Sequence, residues 1–136
     1  MVRTLAAVLL ACSLCAAQAR ENDPITNYQD MPVRARGGKP LSQAEVRDAI
    51  VAAASAKQWK VDYVAAGRLV AQRNVAGRHL VEVDIRYGPQ QYSVLYRNSV
   101  NMNYRAADAS IHPNYNRWAR ELVDGIDFAI YRTRSE

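Results

Sequence analysis

Few side chains in this chain combine type and spacing suited to chemistry. There are two histidines, His79 and His112, and two cysteines, Cys12 and Cys15. A zinc site wants three or four converging ligands, and neither pair has the spacing of one, so no metal is expected. No serine lies in a nucleophile-elbow context. Gly37-Gly38 lacks the Lys-Ser/Thr that a phosphate loop requires. Glu82 and Asp84 are two apart on a predicted strand and share a face. Paired carboxylates can do acid–base work. On an exposed face they more often pair with arginines, here Arg86 or Arg97. No catalytic residue and no cofactor is assigned.

The most unusual stretch is Asn98 to Tyr104, followed by His112, Asn114, Tyr115 and Asn116. From it, Ser99, Asn101, Tyr104, His112, Tyr115 and Asn116 form a candidate ligand-binding set. Amides and hydroxyls suit hydrogen bonding to a polar ligand, while tyrosine rings supply contact area. The competing reading is structural. The asparagines and Ser99 would satisfy loop backbone, and Tyr104, Tyr115 and Trp118 would be core. A non-enzymatic module binding an envelope protein or polar ligand is the leading expectation. The alternative is a small cell-wall-acting hydrolase or glycan-binding protein using His112, Ser99 and a carboxylate, which requires those groups to converge.

The elements that position these residues are legible from periodicity. Ser42-Gln43-Ala44-Glu45 is a capping box, with Leu41 and Val46 at the staple positions. Val46, Ala49, Ile50 and Ala53 recur at helical spacing, predicting a helix over 42–57. Period-two alternation then predicts strands over 59–63, 69–73, 79–87 and 91–97, separated by short turns. Such turns imply an antiparallel meander. Residues 98–112 show no apolar periodicity. Tyr115, Trp118, Leu122, Ile126 and Ile130 place an amphipathic helix over 113–131. The expected fold is α+β: a two-layer sandwich, a meander of three to four strands with the N-terminal and C-terminal helices on one face. His79 shares the inward parity of Val81 and Val83. The other face would show Val70, Leu80, Glu82, Asp84, Leu95 and Arg97, a mixed surface that a second copy could cover to give a homodimer.

Residues 1–19 have the three parts of a secretion signal: Arg3, an apolar run over 5–17, and Ala17-Gln18-Ala19 before a charged pair. The run is too short to span a bilayer, which takes about 20 residues. Leu9-Leu10-Ala11-Cys12 offers a second route, lipidation at Cys12, which alone would bring the domain to a membrane. Cleavage after Ala19 removes both cysteines, so disulfides and thiolate sites are excluded from the mature chain. Residues 20–40 carry three prolines, Gly37 and Gly38, and few large apolar side chains. They read as a flexible linker ahead of a single domain over 41–132. The protein is expected in the periplasm, secreted, or as an outer-membrane lipoprotein. The net charge of +5 falls to +4 without the leader, whose one charged residue is Arg3. The basic residues are scattered, which argues against nucleic-acid binding.

Trp59, the strand over 81–87, Tyr92-Ser-Val-Leu-Tyr96-Arg-Asn-Ser99, Tyr104 and Ile111-His112-Pro-Asn-Tyr115-Asn116-Arg-Trp118 together make a pattern. It resembles a family of small secreted proteins and lipoproteins of Proteobacteria with no assigned activity. The Tyr-Asn-x-Trp element opening the last helix is its most specific part. The resemblance covers about residues 42–130. It implies a fold and an extracytoplasmic location and carries over no catalytic residue. Gln58 departs from it, standing where the pattern leads one to expect glycine before the tryptophan.

Overall fold

The computed structural model describes residues 21–134. The expected leader over 1–19, with its expected cleavage after Ala19 and the alternative lipidation at Cys12, lies outside the described residues. Two short strands come first, β1 (Asp23–Pro24) and β2 (Tyr28–Pro32), then a 3₁₀ turn at Arg36–Gly38. Helix α1 (Gln43–Ala56) leads into β3 (Lys60–Ala65), β4 (Arg68–Val75), β5 (His79–Tyr87) and β6 (Gln91–Val100). Strand β7 (Ser110–Ile111) precedes the long helix α2 (Asn114–Arg132). The main sheet is antiparallel with order β2-β6-β5-β4-β3, and β1 pairs with β7 in a small second sheet. The class is α+β, as expected, with a fifth strand that periodicity did not indicate.

Alternation decides which face of the sheet is covered. Leu69, Ala71, Val81, Val83, Ile85 and Val94 are buried and share one core with Val46, Ile50 and Ala54 of α1 and Leu122, Ile126 and Ile130 of α2. Apolar burial of this kind contributes about 25 cal/mol per Å². The opposite face carries charge. Asp84 accepts from Arg68 at 3.1 Å and from Arg97 at 3.3 Å, and Arg97 also lies 3.7 Å from Glu82. Glu82 and Asp84 therefore have arginine partners. Arg97 is one of the two anticipated, and Arg68, across the sheet, takes the place of Arg86.

Helix α1 begins as its capping pattern requires. The Ser42 hydroxyl accepts from the Glu45 backbone N–H at 3.1 Å, and Leu41 and Val46 are buried beside it. The reciprocal half of the box is not formed: one Glu45 carboxylate oxygen is buried without a partner. Ser42→Ala is expected to cost about 1 kcal/mol in urea denaturation, since one orphan N–H loses its acceptor. The other end closes as a Schellman turn, with Trp59 N–H donating to Ala54 C=O at 2.9 Å and Gln58 N–H to Ser55 C=O at 3.1 Å. Gln58 sits at φ 67°, the left-handed region that favours glycine. Gln58→Gly should raise stability by up to about 1 kcal/mol, measured as a higher urea midpoint. A lower midpoint would show that the glutamine side chain offsets its backbone strain.

Two sequence expectations need correction. Residues 20–40 are not a free linker along their length, because β1 and β2 lie within them. Tyr28 is in register with Val94, Met31 with Tyr92 and Pro32 with Gln91, making β2 an edge strand of the main sheet. Ile25, Tyr28, Met31 and Val33 are half-buried against the core. Backbone pairing and a few partial burials hold the segment, which apolar density alone did not reveal. The stretch 98–112 likewise contains structure: β6 runs on to Val100, β7 pairs with β1, and Met102, Ser110 and Ile111 are buried.

Candidate functional site

The six candidate residues lie on β6, on the loop after it and on the first turn of α2. A bulge governs their placement. Val83 is in register with Tyr96 but Glu82 with Asn98, so Arg97 is the extra residue. Simple alternation would send Ser99 to the face opposite Tyr96. The bulge reverses the parity, and the two hydroxyls meet at 2.9 Å on the helix-covered side.

The asparagines are engaged in holding the chain together. Asn101 and Asn103 have φ of 57° and 52°, the left-handed conformation that asparagine tolerates best after glycine. Asn101 donates from its amide to Arg78 C=O at 2.8 Å, and its own carbonyl oxygen lies 2.9 Å from His79 Nδ1. Asn116 accepts from Thr26 N–H at 3.0 Å and donates to Pro24 C=O at 2.9 Å. Asn103 exchanges bonds with Asn22: its amide donates to the Asn22 side-chain oxygen at 2.9 Å, and the Asn22 amide donates to Asn103 C=O at 2.7 Å. Asn27 accepts from Tyr96 N–H at 2.8 Å. Asn22 and Asn27 were missed because their segment read as linker; asparagine density on both sides of the contact was the available signal. Asn101 and Asn116 are thus fixers of the N-terminal strap and the loop.

His112 is a cap. Its Nδ1 accepts from Asn114 N–H at 3.1 Å, at the start of α2, while its own N–H donates to Met102 C=O at 2.8 Å. Among the described residues no hydrogen bond joins His112, Ser99 and a carboxylate, so the convergence that the hydrolytic alternative required is not formed. No group of three or more metal-ligating side chains occurs among the described residues.

What the structure does bring together is tyrosine. Tyr104 stacks on Tyr96 with ring centroids 4.8 Å apart and 28° between planes. Tyr96 in turn meets Tyr115 edge-on at 5.3 Å and 79°. Exposure falls steeply along this series, from 44% at Tyr104 to 0% at Tyr115. Burial pushes the Tyr96 hydroxyl above the ordinary tyrosine range, against the bond from Ser99, which lowers it. Burial raises Tyr115 much further, and its hydroxyl has no hydrogen-bond partner. Tyr92 is raised too, by burial and by its bond to the Asp127 carboxylate. The result is an aromatic step of three rings, the outermost open to solvent. The exposed Tyr104 ring can hold a flat ligand face. Among the described residues a groove of about 740 Å³ lies between α1 and α2, away from the tyrosines, walled by Ala52, Ala56, Gly125 and Phe128. No protein-family model, no curated protein and no solved structure matches this chain.

Proposed function

We propose that the protein is an exported, non-enzymatic binding module whose contact surface is the Tyr104–Tyr96 step. The observation that carries this reading is an exposed tyrosine held in one orientation by stacking at 4.8 Å on a half-buried second tyrosine. An exposed ring fixed in advance loses little conformational freedom on binding, and tyrosine combines apolar area with a polar edge. The ligand it fits has a flat apolar face ringed by hydroxyls or amides. A saccharide ring of the envelope has that chemistry, and so does an aromatic side chain at the edge of a partner protein. Export rests on the three-part leader read in residues 1–19.

The test uses Tyr104→Ala, because Asn101 and Asn116 hold the fold. Protein with and without the substitution is incubated with purified cell-wall sacculi and, separately, with envelope extract. Loss of a Tyr anchor at the centre of a contact costs about 2 kcal/mol, roughly thirtyfold in affinity. Retention of the same ligands by a folded Tyr104→Ala protein would remove the tyrosine step as the site.

A further inference from the structure

Strand β3 is bonded to β4 along one side and forms the free edge of the main sheet among the described residues. The opposite edge, β2, is broken by a bulge between Tyr28 and Met31 and carries Pro32. It is a poor template for another strand. β3 is different. Its sequence is Lys-Val-Asp-Tyr-Val-Ala, regular over Lys60–Tyr63, and it exposes Tyr63 by 62% and Val64 by 48%. Lys60 and Asp62 are exposed and unpaired within the described chain, on the face away from the helices. Tyr63 is in register with the buried Leu69, on the helix side of the sheet, yet it is open to solvent.

These residues are self-complementary. When a strand pairs with its own copy about a two-fold axis, backbone alternation requires the axis to pass through a residue pair of the same hydrogen-bonding type. Each permitted register is therefore centred on one residue. Centring on Lys60 sets Lys60 against Lys60, and centring on Asp62 sets Asp62 against Asp62; like charges directly opposed are destabilising. Centring on Tyr63 leaves Asp62 opposite Val64 and runs into the bulge between Tyr63 and Ala65. Centring on Val61 sets each Lys60 opposite the Asp62 of the other copy, two opposite-charge pairs by symmetry, with Val61 on Val61 between them. We propose that β3 is a homodimer edge, joining two copies antiparallel in the Val61-centred register and continuing the five-stranded sheet across the axis. The charged outer face is not needed for this contact, since Arg68, Asp84, Arg97 and Glu82 already neutralise one another there.

Charge exchange tests both the dimer and its register. The full chain purified from its producing cells, and the variants Lys60→Asp and Asp62→Lys, are compared by sedimentation velocity over a concentration series. Wild type should show a concentration-dependent dimer. Each variant alone should weaken it by about tenfold or more, because the facing pairs become two aspartates or two lysines. An equimolar mixture of the two variants should recover dimer, since one strand then carries aspartate at both positions and the strand facing it carries lysine at both. Both positions are exposed, so circular dichroism should confirm unchanged folding. A wild-type monomer up to about 1 mM would overturn the proposal, and so would variants that dimerise like wild type or a mixture that fails to recover.

Discussion

Replacing Trp118 by alanine is expected to remove about 3–5 kcal/mol of folding stability. The indole is 5% exposed on the buried stripe of α2, between Tyr115 and Leu122. It also carries the Arg73 guanidinium 5.3 Å above its ring. Arg73 is on β4, so the contact joins the last helix to the sheet, and Glu121 lies 3.6 Å from the same guanidinium. Truncation would open a cavity and leave Arg73, whose Nε is buried without a hydrogen bond, facing it. Total stability for domains of this kind is about 5–15 kcal/mol, so the variant should sit near the edge of folding at physiological temperature. Urea denaturation measures it. A cost below about 1.5 kcal/mol would mean that α2 rests on the core mainly through its aliphatic residues. Trp118→Phe, which keeps a ring beneath Arg73, should recover much of the loss.

Tyr115→Phe should act in the opposite direction, raising stability by about 1–2 kcal/mol. The Tyr115 hydroxyl is buried with no partner, so the folded state bears its desolvation without return. The pH dependence gives an independent reading. Burial raises the hydroxyl pKa in the folded chain above its ordinary value, which is about 10 in an unfolded one. The stability this represents is fully present below about pH 10. Above it the unfolded chain releases the proton and the folded chain keeps it, so stability falls with pH at about 1.4 kcal/mol per unit. Tyr92, raised by burial and by Asp127, works in the same direction. Urea midpoints at about pH 8 and about pH 11.5 should therefore differ strongly in wild type and less in Tyr115→Phe. A less stable phenylalanine variant would show that the hydroxyl finds a partner, and an alkaline limb with the same slope would show that it ionises alike in the folded and unfolded chains. If the gain is observed, the hydroxyl is kept at a cost in stability, as side chains with a function commonly are.

Both helices and strands β4 to β6 were readable because each buries one face and so writes a period into the sequence; β3 alternates in residue type although it buries little. Val81, Val83 and Ile85 announce β5, and Val46, Ile50 and Ala53 announce α1. The strand β2 was not readable. An edge strand tied down by backbone bonds and asparagine side chains needs no alternation, and its partners sit far along the chain. The candidate site was half legible. Tyr104 and Tyr115 proved part of one aromatic series with Tyr96. Asn101, His112 and Asn116 proved to be backbone fixers, since a polar side chain in a loop looks the same whether it serves a ligand or its own chain. Ser99 joined Tyr96 only through the bulge at Arg97, and a one-residue shift of register leaves no mark in composition.

The N-terminal strap sets an order of events during synthesis. Its partners are distant: Asp30 bonds Ser93 across 63 residues, Asn27 bonds Tyr96 across 69, Asn22 bonds Asn103 across 81, and Thr26 and Pro24 bond Asn116 across 90 and 92. The first part of the domain to emerge is therefore the last able to dock. β6 supplies the first of these partners and the start of α2 the last, so residues 21–32 lack their full set until both have been delivered. Docking then anchors the chain from Asn22 onward. The rate at which the carboxyl-terminal half is synthesised thus becomes a clock for closing the domain, since the strap cannot finish docking ahead of it.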